Sequence, residues 1–92
     1  MFEQYSFVVT GEVVEAAQVL PATAGDIAEW CNGREILEHD ALDHEKTFAA
    51  VNLKALEGSV RAQEKEWVIK RPTGDFYTRS DFHFVRSYKK LS

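Results

Sequence analysis

The sequence is poor in cysteine, proline and positive charge, with one cysteine, two prolines and 11 bases against 15 acids in 92 residues. A lone Cys31 excludes an intramolecular disulfide and fits a reducing compartment. No apolar run approaches the ~20 residues that a membrane-spanning helix needs. The opening "MFEQYSFVV" has neither a basic leader nor a small-residue cleavage site. No signal peptide is therefore expected, and the cytoplasm is the expected location. A net charge of −4 argues against extended nucleic acid as a partner. No catalytic signature is present, and neither a cofactor nor a membrane is expected as a partner.

A chain of this length is expected to form a single domain over residues 1–92, because it is too short to close two cores. Such a domain buries roughly 60–65% of the surface exposed by the unfolded chain. A ligand would then sit in a surface cleft or at a subunit interface, and a homo-oligomer would support the small core. The charge is unevenly spread. Residues 1–59 hold three bases (Arg34, Lys46, Lys54) against eleven acids, whereas residues 60–92 hold eight bases against four acids. A local positive field on an acidic protein suits a compact anion or an acidic patch on a partner.

The apolar pattern reads as mixed structure. "YSFVVTGEVVEAAQVL" gives one or two strands broken at Thr10-Gly11. Val14, Ala16, Gln18 and Leu20 share one strand face, so an inward turn of that face would bury the Gln18 amide. Residues 24–32 are expected as a helix, with Thr23 as its cap, Gly33 as a left-handed stop, and Ile27, Trp30 and Cys31 as its buried stripe. "REILEHD" can start a strand, and "TFAAVNLKALEGSVRAQ" reads as a hairpin turning at Glu57-Gly58. "EWVIK", the turn "RPTG" and "DFYT" follow. Ser80 can cap a single turn through Asp81–Phe84, and "VRSYKK" closes as a short strand. The expected fold class is α+β: a small curved antiparallel sheet of five or six strands with one packed helix.

Three constellations carry chemistry. In "HDALDH", His39 and Asp43 are four apart, as are Asp40 and His44, so one helical turn could present a metal-ligand pair. A solvated loop is the better reading of so charged a segment. His83 with Ser80, or with Cys31, lacks a third group to orient a nucleophile. The richest stretch is "WVIKRPTGDFYTRSDFHF", in which aromatics alternate with bases. Trp67, Phe76 and Tyr77 can supply flat faces, and Lys70, Arg71 and Arg79 can supply charge for phosphate. Gln18 or Trp30 can add hydrogen bonds. Alternation sends Phe76 and Tyr77 to opposite sides, so at most one of them is expected inside.

The order of motifs resembles an uncharacterised family of small phage and prophage proteins. That pattern runs from "VEAxQ" through "EIAxWxGG" and "LEG" to "PGDWIVxGxxGEFYPC" and "IFxxTY". The matching segments are Val14–Gln18, Asp26–Gly33, Leu56–Gly58, Trp67–Lys70, Gly74–Tyr77 and Phe84 with Tyr88. Glu64-Lys65-Glu66 replaces the pattern's Pro-Gly-Asp, and Thr78-Arg79 replaces its Pro-Cys. The resemblance implies a phage source, hence the cytoplasm of an infected bacterium, and a sheet-plus-helix fold. Joined with the basic-aromatic stretch, it leads to an expected non-enzymatic accessory protein. Its role would be to sequester a small anionic, nucleotide-derived ligand such as a host immune signal. The alternative is an interaction module docking on a host or phage protein.

Overall fold

A computed structural model describes residues 2–39, 42, 47–56 and 58–91. Within them β1 (Glu3–Phe7) and β2 (Val13–Gln18) precede helix α1 (Ala24–Trp30). Three strands follow, β3 (Arg34–His39), β4 (Thr47–Ala55) and β5 (Gly58–Gln63). The chain ends in β6 (Trp67–Lys70), β7 (Phe76–Arg79), α2 (Asp81–Ser87) and β8 (Tyr88–Lys90). Every ladder is antiparallel. The α+β class read from the sequence holds. Its strands divide into a five-stranded sheet, β7-β6-β2-β1-β8, and a three-stranded sheet, β3-β4-β5.

The division follows from β2. Its middle is covered on both faces, which its small alanines allow. Ala16 and Ala17 point to opposite faces, yet they are 0% and 1% exposed. On one side Ala17, Val19 and Val68 pack with Ile27, Ala28 and Cys31 of α1 and with Val51, Leu53 and Ala62 of the three-stranded sheet. On the other side Val14, Ala16, Ile69 and Tyr77 pack against Phe84 of α2. A sheet with two covered faces has no solvent side to receive one of two neighbouring aromatics. Phe76 therefore packs against the first core and Tyr77 within the second, and the expectation that only one of them turns inward is corrected.

Both ends of α1 also differ from their sequence reading. Thr23 holds the cap position, but its hydroxyl does not cap the helix. It donates to the Gln18 carbonyl at 2.7 Å and accepts from the Leu20 amide at 2.9 Å, pinning the chain as it leaves β2. At the other end Asn32, not Gly33, takes the left-handed conformation (φ 55°). The Gly33 amide then donates to Ala28 O at 2.7 Å, closing the last turn. Gly33 is required for another reason: a Cβ there would sit inside contact distance of the Asn52 carbonyl on β4. Cys31 is buried in the first core, and desolvation pushes its thiol above the usual range, which suits a core residue and not a nucleophile.

The turn expected over Asp81–Phe84 continues to Ser87. Ser80 Oγ accepts from the His83 amide at 3.2 Å, and the Ser80 carbonyl accepts from the Phe84 amide at 2.9 Å. Burial of Phe84, which is 2% exposed, stabilises the remaining residues of this short helix. Asp40, Asp43, His44 and Glu57, singled out by the sequence for a metal pair and a turn, lie outside the described residues. No helix of the described residues is long and apolar enough to cross a membrane.

The backbone clash at Gly33 gives a direct check. Gly33→Ala forces β3 away from β4 and is expected to cost about 2 kcal/mol, the scale of overpacking. Urea denaturation of the variant should show a lower midpoint with little change in slope.

Candidate functional site

The second face of the five-stranded sheet is built from aromatic rings. Phe84 lies between Trp67 and Tyr88, stacked on each at centroid distances of 3.9 and 4.8 Å. Tyr5 meets Phe84 edge-on at 4.9 Å and Trp67 at 5.5 Å. The first turn of α2 is tied down by one carboxylate. Asp81 Oδ1 accepts from Trp67 Nε1 at 2.9 Å and from Gln18 Nε2 at 3.3 Å. Each of these partners is thus held in a fixed orientation.

Docking α2 in this way leaves a groove of about 490 Å³ beside it. Tyr77 and Arg79 of β7 and His83, Ser87 and Tyr88 from the α2–β8 segment form two of its sides. The β1–β2 connection adds Phe7, Thr10 and Glu12, while Arg71 and Leu56 complete it. The Tyr77 and Tyr88 hydroxyls are hydrogen-bonded to each other. Arg79 lies over the Tyr77 ring, 4.7 Å from its centroid, and donates to the Thr78 carbonyl at 2.7 Å. Arg71 forms a forked pair with Glu12, Nε to Oε1 and Nη2 to Oε2, both at 3.3 Å. That pair holds the guanidinium more firmly protonated than usual, through the hydrogen bonds first and the Glu12 charge second. Glu12 is balanced by Arg71, and Arg79 brings a second guanidinium to the groove.

The eight residues selected from the sequence do not share one cleft. Arg71, Tyr77 and Arg79 come together in the groove. Gln18 and Trp67 lie on the same sheet face but are committed to Asp81. Trp30, Lys70 and Phe76 belong to the opposite face. There Phe76 meets the Trp30 ring edge-on at 5.2 Å, and Lys70 lies 5.8 Å from the Phe76 centroid. Trp30 also packs on Phe2 at 4.5 Å. Strand alternation makes this split unavoidable, since Lys70 pairs across the ladder with Phe76, while Ile69 pairs with Tyr77.

Sequence reasoning did not select Phe7, Thr10, Glu12, Leu56, His83, Ser87 or Tyr88 as contacts. Tyr88 was visible only as part of a motif. Glu12 had one usable signal, an acid next to a tight turn at Gly11 (φ 77°), but its partner lies 59 residues away. No protein-family model, curated protein or solved structure matches this chain.

Tyr77 gives the groove a pH signature. Burial, then the hydrogen bond to Tyr88, pushes its phenol well above the usual tyrosine range. In the unfolded chain the phenol ionises near ~10. Above that pH the unfolded state sheds a proton that the folded state keeps, so unfolding is favoured. The contribution is whole below the unfolded pKa and is lost as pH rises towards the folded one. Tyr77→Phe should cost about 1 kcal/mol at neutral pH, for the lost hydrogen bond. It should also flatten the decline in melting temperature above pH ~10, measured by circular dichroism.

Proposed function

We propose that the protein is a non-enzymatic binding protein that holds a small anionic, nucleotide-derived ligand in the groove beside α2. One observation carries this reading: a concave site of about 490 Å³ joins a cation, Arg79, to aromatic walls and paired hydroxyls. The volume falls in the range of small-molecule sites. A phosphate finds the Arg79 guanidinium, and a flat base finds the ring of Phe7, which is backed by Tyr88 at 5.2 Å. Arg71 can add a second cation by exchanging Glu12 for the ligand. The resemblance to small phage proteins is the reason to place host immune nucleotides first among such ligands. Withholding them from a defence pathway is then the proposed role, in the cytoplasm of an infected bacterium, with assembly of copies as part of the proposal.

A second reading, docking on a host or phage protein, has one observation in its favour. Phe82 and Val85, 60% and 62% exposed, stand three residues apart on the outer side of α2, with Arg86 over the Phe82 ring at 4.2 Å. Aromatic-arginine patches of this kind anchor protein interfaces.

Calorimetric titration with cyclic dinucleotides and ADP-ribose-type nucleotides separates the two. The groove reading expects saturable binding that Arg79→Ala weakens by about 10- to 100-fold, the value of a charged hydrogen bond. Val85→Asp should leave it unchanged. Absence of binding across the panel at high protein concentration would overturn the groove reading.

A further inference from the structure

The outer face of the three-stranded sheet gathers positive charge that the sequence keeps apart. Residues 1–59 contain only three bases, and folding brings two of them, Arg34 and Lys54, beside Arg61. The register places Arg34, Asn52 and Arg61 on one rung across all three strands. Lys54 and Ser59 form the next rung. Alternation turns Val51 and Leu53 into the core, so Asn52 and Lys54 face outward. The Asn32–Gly33 turn walls this surface, and the resulting shallow groove encloses about 560 Å³.

Among the described residues the acids nearby do not neutralise it. Glu35 turns to the other side of β3, where its carboxylate abuts Gly25 of α1. Glu38 takes one Arg61 nitrogen, Nη2, at 3.0 Å. That bridge runs diagonally over Ala50, which is only 2% exposed although it lies on the outer face. Among the described residues neither Arg34 nor Lys54 has an ion-pair partner. Like charges on adjacent rungs oppose sheet formation unless a counter-charge occupies the space between them. The Asn52 amide and Ser59 hydroxyl, both exposed, add neutral donors in the same space.

We infer that this face carries a second anion site, for a compact phosphoryl group of the diphosphate type, formed by Arg34, Asn52, Lys54 and Arg61. It lies on a different sheet from the groove beside α2 and does not depend on what that groove binds. Arginine on both flanks suits several oxygens of one multiply charged oxyanion. Glu38 acts as a competing counter-ion that holds Arg61 until a ligand replaces it.

The test is a titration of the isotopically labelled chain with inorganic pyrophosphate at low ionic strength, followed by nuclear magnetic resonance. Signals of Gly33, Asn52, Ser59 and the Arg61 guanidinium should shift together and saturate. The double variant Arg34→Gln/Lys54→Gln should bind roughly tenfold more weakly with no loss of melting temperature, since both side chains are exposed and their mutual repulsion is removed. Glu38→Gln should bind several-fold more tightly, an effect in the opposite sense that loss of structure cannot mimic. Shifts confined to residues around Tyr77 and Arg79, no shifts at all, or undiminished binding by the double variant would each overturn the inference. The first of those results would at the same time leave the proposal for the α2 groove standing.

Discussion

The insertion of Phe84 between Trp67 and Tyr88 is the contact on which the rest depends. A five-stranded sheet in a chain this short exposes one apolar face once α1 and the three-stranded sheet have covered the other. Helix α2 has only seven residues and cannot be stable alone. It persists because Phe84 fills the aromatic slot while Asp81 receives hydrogen bonds from Trp67 and Gln18. Removing such a ring typically costs ~3–5 kcal/mol, comparable with the whole stability of many small domains. The same docking sets the position of His83 and Ser87, and with them one side of the groove.

The groove is built at the margin of that packing. Tyr77 and Tyr88 belong to the second core through their rings and to the groove through their hydroxyls. Arg79 lies over one of those rings, so its charge is carried on a rigid support. On the proposed reading, rigid placement reduces the ordering cost of binding in a surface cleft. The forked Arg71–Glu12 pair serves the same site differently. It joins the β1–β2 connection to the end of β6 and keeps a second guanidinium close at hand without adding net charge.

Much of the architecture can be read locally. The β4–β5 hairpin announces itself in the alternation of Val51, Leu53, Val60 and Ala62, and the helix in Ile27, Trp30 and Cys31. Ser80 marks the start of α2 because an N-cap is a local signal. The separation into two sheets is not local. It depends on β2 pairing with both β1 and β6, and "VVEAAQ" does not say whether one face or both will be covered. Phe76 and Tyr77 show the consequence: alternation correctly separates them, but the inference that one must face solvent requires a single covered face.

The site was legible in part for the same reason. Tyr77, Arg71 and Arg79 are close in sequence and remain close in the fold, whereas Glu12 and Tyr88 reach the groove through strand pairing across the length of the chain. Trp67 and Gln18 are polar-tipped residues whose partner, Asp81, becomes visible only when α2 docks. The central claim is that α2 is an integral layer of the molecule. Amide hydrogen exchange tests it most directly, at the Phe84 and Tyr88 amides that close the helix on Ser80 and Phe84 carbonyls. If the account is right, these amides exchange as slowly as those of β2, through global opening. Rapid exchange at Phe84 and Tyr88 while β2 stays protected would contradict it.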